Sequence, residues 1–166
     1  MFHLTITADD VDRFIADPDH LARTEGYVRS DALGGQLPVE RGDFNLFVDK
    51  DRDPGRKRML YRLHFADANR HPLTLTGFKV VEDDPGIDSI WGDTSTLFTR
   101  VLAGHLQAEQ DADAELVAAG VLHIMPLDFA HQLTTFRTDP PGRVDAMTRF
   151  GGLFAGKLWQ VYGQEG

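Results

Sequence analysis

The strongest constraint on the fold is a pair of period-two runs separated by a short polar connector. Over residues 58–65, Met59, Tyr61, Leu63 and Phe65 fall on one side and Leu60, Arg62 and His64 on the other. Over residues 73–81, Leu73, Leu75 and Gly77 alternate with Thr74, Thr76 and Phe78. Successive side chains of an extended strand project to opposite faces, so period two predicts two strands. The connector, residues 66–72, is too long for a two-residue turn and predicts a looped antiparallel hairpin.

Other segments extend that sheet. Phe2, Leu4 and Ile6 alternate with polar neighbours and predict a strand over residues 2–7. Asp9 or Asp10 then caps a short helix carrying Val11, Phe14 and Ile15, which Pro18 stops. Residues 26–48 read as extended, with a strand at 44–48, and further strands are expected at 95–102 and 116–125. The last third changes period. Leu127, Ala130, Leu133 and Phe136 recur at helical spacing behind Pro126, and Met147, Phe150, Phe154, Leu158 and Val161 form a second amphipathic pattern. Strands first and helices last predict a mainly β (α+β) fold. It is expected as one domain over residues 1–166, an antiparallel sheet forming a barrel or sandwich, with a short N-terminal helix and C-terminal helices.

Composition narrows the chemistry. The chain has no cysteine, so thiolate catalysis, disulfides and Cys-ligated metal centres are excluded. Its 17 Lys+Arg against 26 Asp+Glu leave a formal charge of −9 in 166 residues, which argues against phosphate-backbone binding and so against a nucleic-acid partner. No basic, apolar leader opens the chain, and no run reaches the roughly 18 apolar residues that a membrane span needs. A cytoplasmic location and no membrane span are the expectations.

Several motifs yield to plainer accounts. Gly151–Lys157 spells G-x-x-x-x-G-K, but Leu158 stands where a phosphate loop needs Ser or Thr. The segment also continues a helical pattern, so Gly152 and Gly156 are expected to admit a closely packed neighbour. Asp49, Asp51 and Asp53 open like a calcium loop, yet Pro54 and Leu60 occupy the places of its glycine and glutamate. A solvated inter-strand loop is the expectation there, and a polar turn at Asp111, Asp113 and Glu115. The seven histidines show no H-x-H or H-x-x-x-H spacing. A site assembled from distant strands stays open, with His64 and His123 both pointing inward. Asp128 and His131, three apart, are expected to pair structurally. No serine sits in G-x-S-x-G and no G-x-G-x-x-G follows a strand, which excludes the usual serine hydrolases and a Rossmann dinucleotide site.

Six ordered phrases carry a resemblance: GYVRSDALGGQLPVERGDFNLFVD, RMLYRLHF, LTLTGFKVVEDDPG, IWGDTSTLFTRVLAGH, PLDFAHQLTTFR and RFGGLFAGKLWQVY. Together, over about residues 26–162, they resemble an accessory, non-flavin domain of large bacterial glucose–methanol–choline oxidoreductases of the cholesterol-oxidase-like type. The flavin fingerprint and catalytic histidine of those enzymes have no counterpart here. The resemblance therefore implies no catalytic residue and no cofactor. It implies a context, a free-standing companion domain connected with sterol or other lipid oxidation.

These observations lead to the expectation of a non-catalytic module that binds an apolar, lipid-like small molecule or docks on an oxidoreductase partner. The residues expected at the site are Tyr61 and Trp91 as apolar contacts, with His64, Lys79, Asp93 and Thr94 as convergent polar groups. The alternative is a small cofactor-free isomerase or lyase using His64 or His123 with Asp93 as acid and base. A third expectation is an assembly domain, marked by a solid core and an exposed apolar patch.

Overall fold

The structure, a computed structural model, describes residues 1–49, 56–82, 96–123, 134–141 and 143–162, with the backbone only at 82, 155 and 157–162. Seven strands lie side by side in chain order, each antiparallel to the one before: β1 (Phe2–Thr7), β2 (Leu21–Ser30), β3 (Gly35–Val48), β4 (Arg56–Ala66), β5 (Pro72–Glu82), β6 (Thr96–Ala103) and β7 (Leu116–His123). Helix α1 (Val11–Ala16) joins β1 to β2, and α2 (Val144–Tyr162) closes the described chain. No described helix is long and apolar enough to cross a membrane.

The mainly antiparallel β architecture agrees with the sequence. Of its two expected forms, the barrel does not close, because among the described residues β1 and β7 are the sheet's two edges and do not pair. The sheet curls nonetheless. Three strand spacings amount to roughly 14 Å in a flat sheet, yet the Phe2 ring of β1 lies 5.7 Å from the Tyr61 ring of β4. The inner face so formed holds the core.

Period two sets that core in the central hairpin. Tyr61, Leu63 and Phe65 of β4 face inward beside Gly77, Leu75 and Leu73 of β5, in continuous register. Leu63 and Phe65 are fully buried. Near one end Phe14, Phe44, Phe47, Val81 and Leu97 form a cluster that Phe150, Leu153 and Phe154 of α2 cover. Near the other end Val28, Leu37, Leu63, Phe65 and Leu75 form a second cluster. Phe2 and Leu4 touch both.

Three local expectations need correction. Residues 26–48 are not one extended run with a late strand but a hairpin, β2 and β3, turned by a single 3-10 turn at Asp31–Leu33 and by Gly34 and Gly35 at positive φ. Bulges hid it. An irregularity between Thr24 and Tyr27, and another between Asn45 and Val48, break the alternation, and the second leaves Leu46, Phe47 and Val48 all buried. The helix expected through Phe136 does not reach that residue, which lies in irregular chain with its ring 5.3 Å from Phe150; residues 124–133 lie outside the described residues. Among the described residues no element packs closely on Gly152 or Gly156, where an added Cβ meets nothing within 4 Å.

The cap of α1 is Asp10, whose carboxylate accepts from the Arg13 N–H at 3.0 Å. Arg149 of α2 reaches Asp12 at 3.0 Å and ties the two helices together.

Candidate functional site

The expected site residues divide between the two faces. Tyr61 and Lys79 are buried on the inner face, one strand apart, with Lys79 Nζ 5.9 Å from the Tyr61 ring centroid. The ring is enclosed by Phe44 and Phe2, at 4.9 and 5.7 Å. Burial pushes the Tyr61 phenol well above its usual range, and it holds the Lys79 ammonium down at about 8. His64 stands three residues from Tyr61 and so projects from the opposite face. There its Nε2–H donates to the Leu106 carbonyl at 3.0 Å, beneath the loop that joins β6 to β7. His64 and Lys79 therefore do not converge. His123 is exposed, with Nδ1 3.4 Å from Thr96 Oγ1, and does not meet His64 inside the sheet. Trp91, Asp93 and Thr94 lie outside the described residues, as do Asp51, Asp53, Asp128 and His131. Asp49, the first member of the calcium-like run, pairs with Lys57.

Neither of two surface depressions among the described residues is lined by Tyr61 or Lys79. One of about 600 Å³ lies beside α1 and the β2–β3 hairpin, between Asp9, Arg13, Arg23, Glu25 and Arg41. Arg23 there pairs with Asp9 at 3.3 Å and with Glu25. The other, of about 380 Å³, is a shallow hollow between Phe136, Arg143 and Met147. Among the described residues no group of three or more His, Asp or Glu is placed to hold a metal ion.

The feature that sequence reasoning missed lies on the outer face. Leu60, Phe78, Phe98 and Val121 are register partners on β4, β5, β6 and β7, and they form an apolar row running straight across the strands to the sheet edge. Phe78 is 36% exposed, Phe98 45% and Val121 49%. The two phenylalanine rings stack at 5.4 Å with planes 27° apart. Arg58 lies over the Phe78 ring at 5.2 Å, and the exposed Arg100 stands two residues beyond Phe98 on the same face. Solvent-facing positions of a half-buried sheet are ordinarily polar, as Thr76 is beside Phe78. The signal was therefore present in the alternation, as an aromatic on the polar side of the run.

No protein-family model, curated protein or solved structure matches this chain.

Proposed function

We propose that the chain is a non-catalytic docking module whose binding face is the outer surface of β4–β7. The observation that carries this reading is the row Leu60–Phe78–Phe98–Val121, in which Leu60 is half-buried and Phe78, Phe98 and Val121 are exposed. Exposed apolar surface that is contiguous and rimmed by polar groups marks interaction sites, whereas scattered exposed side chains do not. Stacked aromatics beside arginines have the make-up of an interface centre. The fitting partner has an apolar centre with an acidic residue set to meet Arg100. The resemblance of the chain to an accessory domain of flavin oxidoreductases supplies the partner class, an oxidoreductase of sterol or lipid metabolism.

A photo-activatable residue placed at position 98 tests this in the host cell, with position 25 as an exposed outer-face control. Position 98 is expected to capture an oxidoreductase that position 25 does not, and Phe78→Glu is expected to abolish the capture. Equal capture from both positions, no capture, or capture undiminished by Phe78→Glu overturns the reading.

A further inference from the structure

We propose that residues 104–111 form an acid-released strap, closed over the outer face by the stacked His64–His105 pair and freed when both rings are charged. This goes beyond the docking reading, since the opening needs no partner and concerns a different segment.

Register shows what the strap covers. His64, Thr74 and Leu102 are partners on β4, β5 and β6, on the same outer face as Phe78 and Phe98. One row away, Arg62, Thr76 and Arg100 are half-buried or exposed. His64, by contrast, is 5% exposed, Leu102 1% and Thr74 0%. The strap lies over them, crossing from β6 over β5 to β4. Thr74 Oγ1–H donates to the Gly104 carbonyl at 2.7 Å and accepts from the Leu106 N–H at 2.9 Å. Further on, Asp111 takes the two-pronged pair with Arg62 of β4.

Protonation turns the clasp against itself. In the closed strap each imidazole uses its Nε2–H on a carbonyl, His64 on Leu106 and His105 on Phe65. The rings stack with centroids 5.1 Å apart and planes 17° apart. A second proton, on Nδ1, makes each ring a cation facing a cation. The surroundings resist the charge on His64. Arg62 of β4, Arg41 of β3 and His105 of the strap all bear on it as positive charges. Of the nearby carboxylates, Asp111 is held by Arg62, and Glu40 of β3 lies 3.8 Å from His105, whose charge it steadies. An unpaired charge in a buried site is costly, and opening the strap hydrates both rings. The open strap therefore binds protons that the closed strap excludes, so lowering the pH favours it. Release uncovers Leu102, two residues beyond Arg100 on β6, and widens the outer surface beside the apolar row.

Amide hydrogen exchange of the full chain, followed by NMR and corrected for intrinsic rates, tests this. The reporters are the amides of Gly104 and Leu106, which the closed strap commits to Pro72 and Thr74. Those of Leu63 and Leu75, central in the sheet, report global unfolding. The strap amides are expected to open about a hundredfold or more often than Leu63 and Leu75 at pH 5.5, which marks a local event. Their opening constant is expected to rise about threefold or more from pH 7.5 to 5.5. His64→Gln keeps a donor without titrating and is expected to remove most of that rise. His105→Gln, at a more exposed ring, is expected to reduce it. Strap amides that open only together with Leu63 and Leu75 overturn the proposal. So does an opening constant that does not rise toward pH 5.5, or a rise retained in both variants. Loss of partner capture at position 98 with the strap opening as expected refutes the docking reading alone.

Discussion

His64 and His105 stack with ring centroids 5.1 Å apart, and each reaches past the other to a main-chain carbonyl. His64 Nε2–H donates to Leu106 and His105 Nε2–H to Phe65, both at 3.0 Å. The pair clasps the loop after β6 onto β4, with Glu40 3.8 Å from His105.

That clasp makes stability depend on pH. Burial holds the His64 pKa below its usual 6.5, reinforced by the neighbouring His105, Arg41 and Arg62, although the Leu106 hydrogen bond opposes the shift. Between that lowered value and 6.5 the unfolded chain binds the proton and the folded chain does not, so the His64 contribution to stability rises with pH through this window and is constant above it. Urea titrations followed by circular dichroism should show the rise. His64→Gln, which keeps a donor near Nε2 but does not titrate, should remove its His64 part.

Arg62 and Asp111 form a two-pronged pair at 2.6 and 3.0 Å, each 17% exposed, and Arg62 also donates to the Leu106 carbonyl. Asp111→Ala leaves a mostly buried guanidinium short of its partner and should cost about 2 kcal/mol, between the values for buried and surface pairs. The exposed Asp145 pairs with both Arg149 and Arg143, and Asp145→Ala should shift the denaturation midpoint less than Asp111→Ala does, because solvent screens exposed pairs. Comparing the two denaturation midpoints checks the ranking.

Two glycines should respond in opposite directions. Gly152 sits within α2 with open space around it, so Gly152→Ala should stabilise by about 0.5–1 kcal/mol through helix propensity. A Cβ at Gly42 falls 2.0 Å from Thr24 Oγ1, which is itself buried between β2 and β3. Gly42→Ala should lower the melting temperature, and thermal unfolding of both variants gives the signs.

Lys79 supplies a second pH window. With its pKa held at about 8 by burial, against 10.5 unfolded, the unfolded chain carries the extra proton between those values. Stability should therefore rise from about pH 8 toward 10.5, and Lys79→Met should abolish that slope. A rise of equal size in the variant would show that Lys79 does not titrate in this range.

The sequence was most informative where the sheet is regular. From Arg58 to Phe65 and from Leu73 to Val81 one periodicity named the strands, their partner and their inward residues, because every second side chain of a paired strand must face the core. It also separated His64 from Tyr61 before any coordinates, although the expected site placed both together. Elsewhere local pattern and structure part company. Bulges at Thr24–Tyr27 and Asn45–Val48 insert residues that shift the alternation, so β2 went unseen and Leu46, Phe47 and Val48 did not read as core.

The candidate surface shows the same division. Residue type alone put Phe78 on the polar side of its strand, but one aromatic there is unremarkable. Only the register of four strands sets Leu60, Phe78, Phe98 and Val121 in line, and only the chain-order sheet leaves β7 at an edge. Alternation is a local property, written within a few residues of each position. Which strands become neighbours, whether the sheet closes and what stays uncovered depend on contacts between residues far apart in the chain. The sequence by itself therefore determined the β class and the inward faces of the central hairpin, and the tertiary structure decided the open edge and the exposed row.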